Sequence, residues 1–423
     1  MRLHAKYLGK VQTMPKGPIR SMRDFSLWYT PGVAAPCLAI KAEPARVFEL
    51  TNRGNTVAIV SDGSRVLGLG DIGLEAGLPV MEGKALLFKF LGGVDAVPLC
   101  LAVNNTDDFV RVVQALEPSF GGINLEDIAQ PKCFRVLDRL RGTMAIPVWH
   151  DDQQGSATAL LAGLFNALKV VDKDLSRVRI AMVGMGAASV STYRLLKASG
   201  VDPAAIIACD TRGTLHCDRA DLEAEREAAN EKWQVAQESN VERIKGGIAD
   251  AMRGADISIA FTRSGPNIIR PEWVGAMARD AIVFACANPV PEIWPEDAIA
   301  AGARIVATGR SDFPNQVNNS LVFPGLFRGV LDVRARLITD EMALAAAHEL
   351  AACQDEIGLD DRHILPAMDD ETVAARIAAA AGMVAQGQGL AERQVERDVL
   401  LVEARRTIAS ARAALDGLAA GFR

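Results

Sequence analysis

From about residue 178 the chain settles into a repeated order: an apolar run of strand length, a glycine or polar turn, then a helical stretch. RVRIAMVGMGAASVSTYRLLKASG leads into AAIIACDTRG, and ADISIAF, AIVFACANP and ARIVATG add three further apolar runs that end in polar or glycine-rich turns. Few folds accept such a pattern. Strands that do not alternate apolar with polar residues are buried on both faces, and helical crossovers between them impose parallel pairing. The pattern predicts an α/β architecture with a doubly wound parallel sheet, whose strand C-termini carry the ligand-binding loops.

The first of those turns is Gly184-Met185-Gly186-Ala187-Ala188-Ser189, after a strand and at the opening of a helix. Gly184 lets the chain turn tightly, Gly186 lets the backbone approach a pyrophosphate, and the helix N-terminus favours the anion. Ser189 takes the place of a third glycine and is small enough to keep helix and sheet close. Asp210 ends the next strand, where a carboxylate accepts hydrogen bonds from an adenosine ribose and favours NAD. Arg212, two residues on, could pair with the 2′-phosphate of NADP, so at this level both cofactors stay open.

Upstream, the reading is a mixture of short strands and helices. Residues 56–62 and 64–71 read as two strands joined by an Asp62-Gly63 turn. Residues 84–93 read as a helix stopped by glycines, 95–103 as a buried strand, and 106–120 as a helix capped by Thr or Asp. A strand over 121–128, a helix over 131–142 and the strand AIPVW follow. Two acidic pairs stand where strands run out: Glu126-Asp127 in GGINLEDIAQ and Asp151-Asp152 in VWHDDQQG. Both pairs should reach the same sheet edge, where clustered carboxylate oxygens suit Mg²⁺ or Mn²⁺; solvated caps on the following helices are the alternative. The five histidines are isolated, and His150 reads as a packing residue. Tyr29, in SLWYTPGVAAPC, and Lys84, placed on the first turn of an apolar helix with a lowered pKa, are candidates for proton transfer.

At 423 residues, two domains are expected. A formal net charge of −6 argues against nucleic acid and anionic membrane as partners. Seven cysteines without a C-x-x-C pair suit reduced thiols in the cytosol, and no apolar stretch reaches membrane-spanning length. The charged stretch DLEAEREAANEKWQVAQES reads as a solvated helix. The Ala/Arg/Glu-rich tail reads as a long amphipathic helix that packs on the body or on a second subunit.

WYTPGVAAPC, SDGSRVLGLGDIG, PVMEGKALLFK, EPSFGGINLEDI, PVWHDDQQGSATA, VGMGAAS, FACANPVPEI and ATGRSDFPNQVNNSLVFPGLFRGVLDV follow one another in this order. The set resembles the short bacterial form of malic enzyme, the oxaloacetate-decarboxylating malate dehydrogenase. The resemblance implies an N-terminal catalytic domain over 1–160 and a Rossmann-like NAD(P)-binding domain over 161–385; the C-terminal helix expected over 386–423 lies outside it. It implies oxidative decarboxylation of L-malate to pyruvate, with a malolactic or other 2-hydroxy diacid reaction as the alternative, and a cytoplasmic homodimer or larger assembly. By motif, Glu126, Asp127 and Asp152 would hold the metal and Asp151 would orient or relay. Lys84 would be the base on the C2 hydroxyl and Tyr29 the acid that protonates the enol. Arg65 would clamp a substrate carboxylate, while Asn288 and Asn319 would contact substrate and nicotinamide. Gln154 stands where many members carry histidine, LCLAVNNTDD replaces a more acidic strand end, and Arg263 lies in a loop expected to approach the cofactor.

Overall fold

The computed structural model describes residues 2–103, 105–227 and 230–421. Asn104 in LCLAVNNTDD, Ala228 and Ala229 in the charged stretch, and Phe422 and Arg423 of the tail lie outside the described residues. Among the described residues ten strands form two sheets. β1 (Thr56–Ser61), β2 (Asp95–Cys100), β3 (Gly122–Leu125) and β4 (Val148–His150) pair in parallel in the order β2-β1-β3-β4. The second sheet comprises β5 (Ile180–Val183), β6 (Ile206–Asp210), β7 (Gly213–Thr214), β8 (Ile257–Ala260), β9 (Ala281–Ala285) and β10 (Ala303–Thr308). Its order is β10-β9-β8-β5-β6-β7, parallel throughout except for the short β6–β7 pair. The chain winds outwards from β5 in both directions, so the glycine turn after β5 lies at the point where strand order reverses.

Continuous apolar runs behave as expected: every residue of β3, β5, β8 and β9 is buried, because helices cover both faces. In the first sheet β3 and β4 are neighbours, with Leu125 opposite His150. The residues that follow each strand therefore emerge side by side, as the two acidic pairs required.

Four local expectations are corrected. Residues 64–71 form no strand: Asp62 Oδ1 accepts from the Ser64 amide, and the amides of Arg65 and Leu67 donate to the backbone oxygen and Oδ1 of Asp127. Hydrogen bonds that a hairpin would use are spent on the acidic turn. The helix carrying Lys84 begins at Leu74 and runs to Gly92, so Lys84 lies mid-helix rather than in a first turn. The helix Thr106–Leu116 is capped by Asn105, whose side chain accepts from the Asp108 amide. The charged stretch forms two short helices, Ala220–Ala224 and Asn230–Glu238.

The tail is a helix, Arg397–Gly421, and it lies on the chain's own body. Leu400, Ala404 and Ile408 are buried, and Arg412 Nε donates to the Phe90 carbonyl at 3.0 Å. Helix Leu74–Gly92 ends at Gly93, whose φ of 65° is the left-handed cap that closes the last turn. The opposite behaviour marks the N-terminus. No residue from 2 to 56 is buried, and Leu3, Met22, Leu27, Trp28 and Leu38 stand exposed around the helix Met22–Trp28 and its neighbours.

Candidate active site

Lys84 sits where the helix Leu74–Gly92 passes the C-terminal ends of β3 and β4. Its Nζ lies 2.5 Å from Asp151 Oδ2 and 3.0 Å from Glu126 Oε1, all three groups being buried. The Phe323 ring lies 4.5 Å from the same nitrogen. Each acid is fixed from behind: Trp149 Nε1 donates to Asp151 Oδ1 at 3.0 Å, and Asn124 Nδ2 donates to Glu126 Oε2 at 2.9 Å. Asp127 turns the chain with a φ of 53°, so its amide reaches Asp152 Oδ2 at 2.8 Å. The residues DDQQG form one wide helical turn before the helix Ser156–Val170. Here a pair of adjacent acids divides its work, Asp151 facing Lys84 and Asp152 facing the Asp127 turn.

The charges are strongly coupled. Burial, the largest influence on Lys84, disfavours its charged form, but Asp151 and Glu126 outweigh it and hold the ammonium well above its ordinary value. In the cation-free protein this reverses the expectation of a lowered pKa, since Asp151 and Glu126 face the lysine. Burial pushes Glu126 up, Lys84 opposing and Asp152 and Asp151 assisting. Burial and the neighbouring Asp152 push Asp127 up to about 7.

Asp127 Oδ2 is buried with no hydrogen-bond partner, as are both ring nitrogens of His150 and Nε2 of Gln154. Among the described residues no group of three or more His, Cys, Asp or Glu side chains is set as ligands around one point. The orphaned oxygen and the raised carboxyls are nevertheless what a hard cation would resolve, so the donor set fits one. Arg65, exposed beside this turn, forms no ion pair among the described residues. Asn319 opens the turn after β10 and packs by the same acids: a Cβ placed on Gly155 would meet Asp151 Oδ1 at 1.9 Å and Asn319 Cβ at 3.0 Å.

The second sheet brings its loops to this centre. Gly184 has a φ of 86°, and a Cβ there would stand 2.5 Å from the Phe261 carbonyl; Gly186 has nothing within 4 Å of that position. Such an open turn, followed by Ala187, Ala188 and the buried Ser189 on the helix Ala187–Ala198, fits a pyrophosphate. Asn288 precedes a cis proline and presses its carbonyl against Gly68, where a Cβ would lie 2.1 Å away. The cofactor-side loop and the loop wrapped on Asp127 thus touch. Asp210 ends β6, and Arg212 donates its amide to Asp210 Oδ1 at 2.9 Å.

Tyr29 is not brought to Lys84. It caps the helix Met22–Trp28, is 70% exposed, and its hydroxyl bonds to nothing among the described residues.

Two family models match the chain: "Malic enzyme, N-terminal domain" over residues 8–141 and "Malic enzyme, NAD binding domain" over residues 153–386. It is 48% identical to the NAD-dependent malic enzyme of Geobacillus stearothermophilus, across 91% of this chain and 78% of that one. It is 45% identical to the bifunctional malic/malolactic enzyme of Bacillus subtilis, across 96% and 97%. The crystal structure of the malic enzyme from Pyrococcus horikoshii superposes with a TM-score of 0.93 at 48% identity, covering 98% of this chain and 95% of that one. The chain belongs to the malic enzyme family.

Several residues of this malic enzyme fold escaped the motif reading. Glu292 is fully buried and accepts from the Thr262 amide, the Thr262 hydroxyl and the Ala287 amide, tying two cofactor-side loops together. Its only signal was a lone acid inside the apolar run NPVPEI. Asp62 pairs with Lys132 at 2.7 Å beneath the acidic turn. Arg219 reaches back to Asp210, nine residues away in sequence, and nothing in the spacing announced it. Arg263 is exposed. Gln154 accepts the His150 amide at 3.1 Å, which closes the wide turn. The seven cysteines are free thiols, four of them buried, and among the described residues no helix is long and apolar enough to cross a membrane.

Proposed function

We propose that the chain catalyses divalent-metal-dependent oxidative decarboxylation of L-malate to pyruvate and CO₂ with reduction of NAD(P)⁺. The observation that carries this reading is the buried Lys84 held between Asp151 and Glu126, where the dinucleotide sheet's loops meet the acidic strand ends. Hydride loss from C2 requires a base on the C2 hydroxyl, and Lys84 is the nitrogen placed to serve. Asp151, 2.5 Å from Nζ and fixed by Trp149, orients Nζ, and a cation neutralising these carboxylates would remove the field that holds the ammonium and leave Nζ able to accept the hydroxyl proton. Glu126, Asp127 and Asp152 would hold Mg²⁺ or Mn²⁺, which neutralises these carboxylates and supplies Lewis acidity for the enolate left by loss of CO₂. Arg65, with its guanidinium unpaired, clamps a substrate carboxylate, and Asn288 and Asn319 position substrate against nicotinamide. The Gly184–Ser189 turn carries the pyrophosphate and Asp210 the ribose. We assign the metal and substrate unit to residues 1–160, the cofactor unit to 161–385 and the C-terminal segment that includes the covering helix Arg397–Gly421 to 386–423.

Protonation of the enol needs an acid, and Tyr29 keeps that role only if its exposed segment meets a site. A second copy supplies the contact: the apolar side chains clustered around Tyr29 suit a homodimer or a larger homo-oligomer in which Tyr29 is delivered across the interface. A cytoplasmic location agrees with free thiols. A malolactic outcome is the second reading, favoured by the near full-length similarity to a bifunctional malic/malolactic enzyme. Absorbance at 340 nm with L-malate, NAD or NADP, and Mn²⁺ or EDTA tests the proposal. Metal-dependent reduced nicotinamide with pyruvate as product is expected; lactate formed without released reduced cofactor would favour the second reading.

A further inference from the structure

The end of β6 carries a closed network of charge. Arg219, 10% exposed, donates to both oxygens of Asp210 at 3.2 and 3.3 Å. The same guanidinium forms a two-pronged pair with Asp221, Nε and one terminal nitrogen each lying 2.6 Å from a carboxylate oxygen. Asp221 Oδ2 also accepts from Arg212 at 2.9 Å, and Glu225 stands 3.8 Å from the same Arg212 nitrogen. Lys232 lies 3.7 Å from Asp210 Oδ2. Three cations therefore face three carboxylates, and both arginines are already committed to acids. The two-pronged Arg219–Asp221 pair is short and directional, whereas Arg212 holds Asp221 through one nitrogen.

We propose that Asp221 makes this site select NAD over NADP: by occupying Arg219 and Arg212, it leaves Asp210 as the anion that meets the adenosine ribose. This rests on the dinucleotide reading of the same turn. Asp210 is pinned by Arg219 and only 7% exposed, so it cannot swing away from an incoming 2′-phosphate. Oδ1 is filled by Arg219 and the Arg212 amide, and the lone pair left on Oδ2 suits a ribose hydroxyl. A 2′-phosphate would meet the carboxylate with no free guanidinium to receive it, and selectivity arises as much from that repulsion as from attraction to the hydroxyl. The motif reading gave Arg212 as the potential phosphate partner; in the structure Asp221 holds it.

The test is direct binding, measured by nicotinamide fluorescence and calorimetry with NADH and NADPH, and with 5′-ADP against 2′,5′-ADP as fragments without nicotinamide. The wild-type chain should bind NADH about tenfold or more tightly than NADPH, with the fragments in the same order. Asp221→Asn, which removes the charge that holds Arg212 and loosens Arg219 while leaving its bonds to Asp210, should narrow that ratio by about tenfold. Arg212→Gln should leave the ratio within about twofold, because Arg212 is not the phosphate partner. Equal or tighter NADPH binding by the wild type, an unchanged ratio in D221N, or selective loss of NADPH in R212Q would each overturn the proposal. Failure to bind either dinucleotide would overturn it together with the dinucleotide reading. NADH preference without turnover of malate would uphold it while refuting the proposed reaction.

Discussion

Replacing Asp127 by Asn should stabilise the cation-free protein while abolishing its response to metal. Asp127 is 3% exposed, its Oδ2 has no partner, and its carboxyl is raised from 3.8 to about 7 by burial and by Asp152. A carboxyl whose pKa is higher in the folded than in the unfolded chain contributes stability that is intact below its unfolded value. That contribution is lost as pH rises through about 7. Across that interval, at roughly 1.4 kcal/mol per pH unit, the ionised carboxylate costs about 4 kcal/mol. Asparagine keeps the acceptor for the Leu67 amide at 3.1 Å but adds an amide group without a buried acceptor, which costs about 1–3 kcal/mol. The expected net gain at pH 8 is about 1–3 kcal/mol, with none at pH 5. Urea midpoints in EDTA at the two pH values measure it. Mn²⁺ should raise the wild-type midpoint at pH 8 and leave D127N unmoved, and turnover of D127N should fall about 100-fold or more. A variant less stable than wild type at pH 8, or one equally stabilised at both pH values, would refute the electrostatic account of this site.

Three further outcomes follow from the same geometry. Lys84→Ala should lower kcat by about 10²–10⁴ while NADH binding persists, since the lysine acts on substrate rather than on cofactor. Gly155→Ala should cost about 1–3 kcal/mol and most of the activity, because its Cβ would push Asp151 Oδ1 off Trp149 Nε1 and so turn Oδ2 away from Lys84; near-native activity in G155A would contradict that placement. Mixed dimers of Tyr29→Phe and Lys84→Ala chains, each inactive as a pure dimer, should recover about half of wild-type activity if Tyr29 acts across the interface. Recovery of no activity in verified mixed dimers would place Tyr29 within its own chain or outside the site.

The motifs told unequally about the site. GMGAAS was legible because a turn of that shape needs Gly184 at a positive φ beside the Phe261 carbonyl, a local demand that spacing alone reveals. The acidic pairs were legible as neighbours because both follow buried parallel strands. Lys84 could be suspected, but its pKa direction was misread: whether Asp151 and Glu126 or cations face Nζ depends on how a helix crosses two strand ends. The 64–71 hairpin failed for a related reason. Its amides had a better partner in Asp127, about 60 residues away, than in the strand beside them. Arg219, Trp149, Asn124 and Glu292 left almost no trace, since a polar residue that supports another through one hydrogen bond carries no period and no motif.

By itself, the sequence determined the doubly wound parallel sheet of the second half, the convergence of the two acidic pairs on one sheet edge and membership of the malic enzyme family. Apolar runs buried on both faces, with glycine turns between strand and helix, leave little other choice. Only the tertiary structure decided that Asp151 faces Lys84 while Asp152 serves the Asp127 turn, that Asp221 occupies Arg219 and Arg212, and that Tyr29 lies on an exposed apolar segment. Backbone periodicity is written in neighbouring residues. The field at a buried nitrogen is set by groups that only folding brings within 3 Å of it.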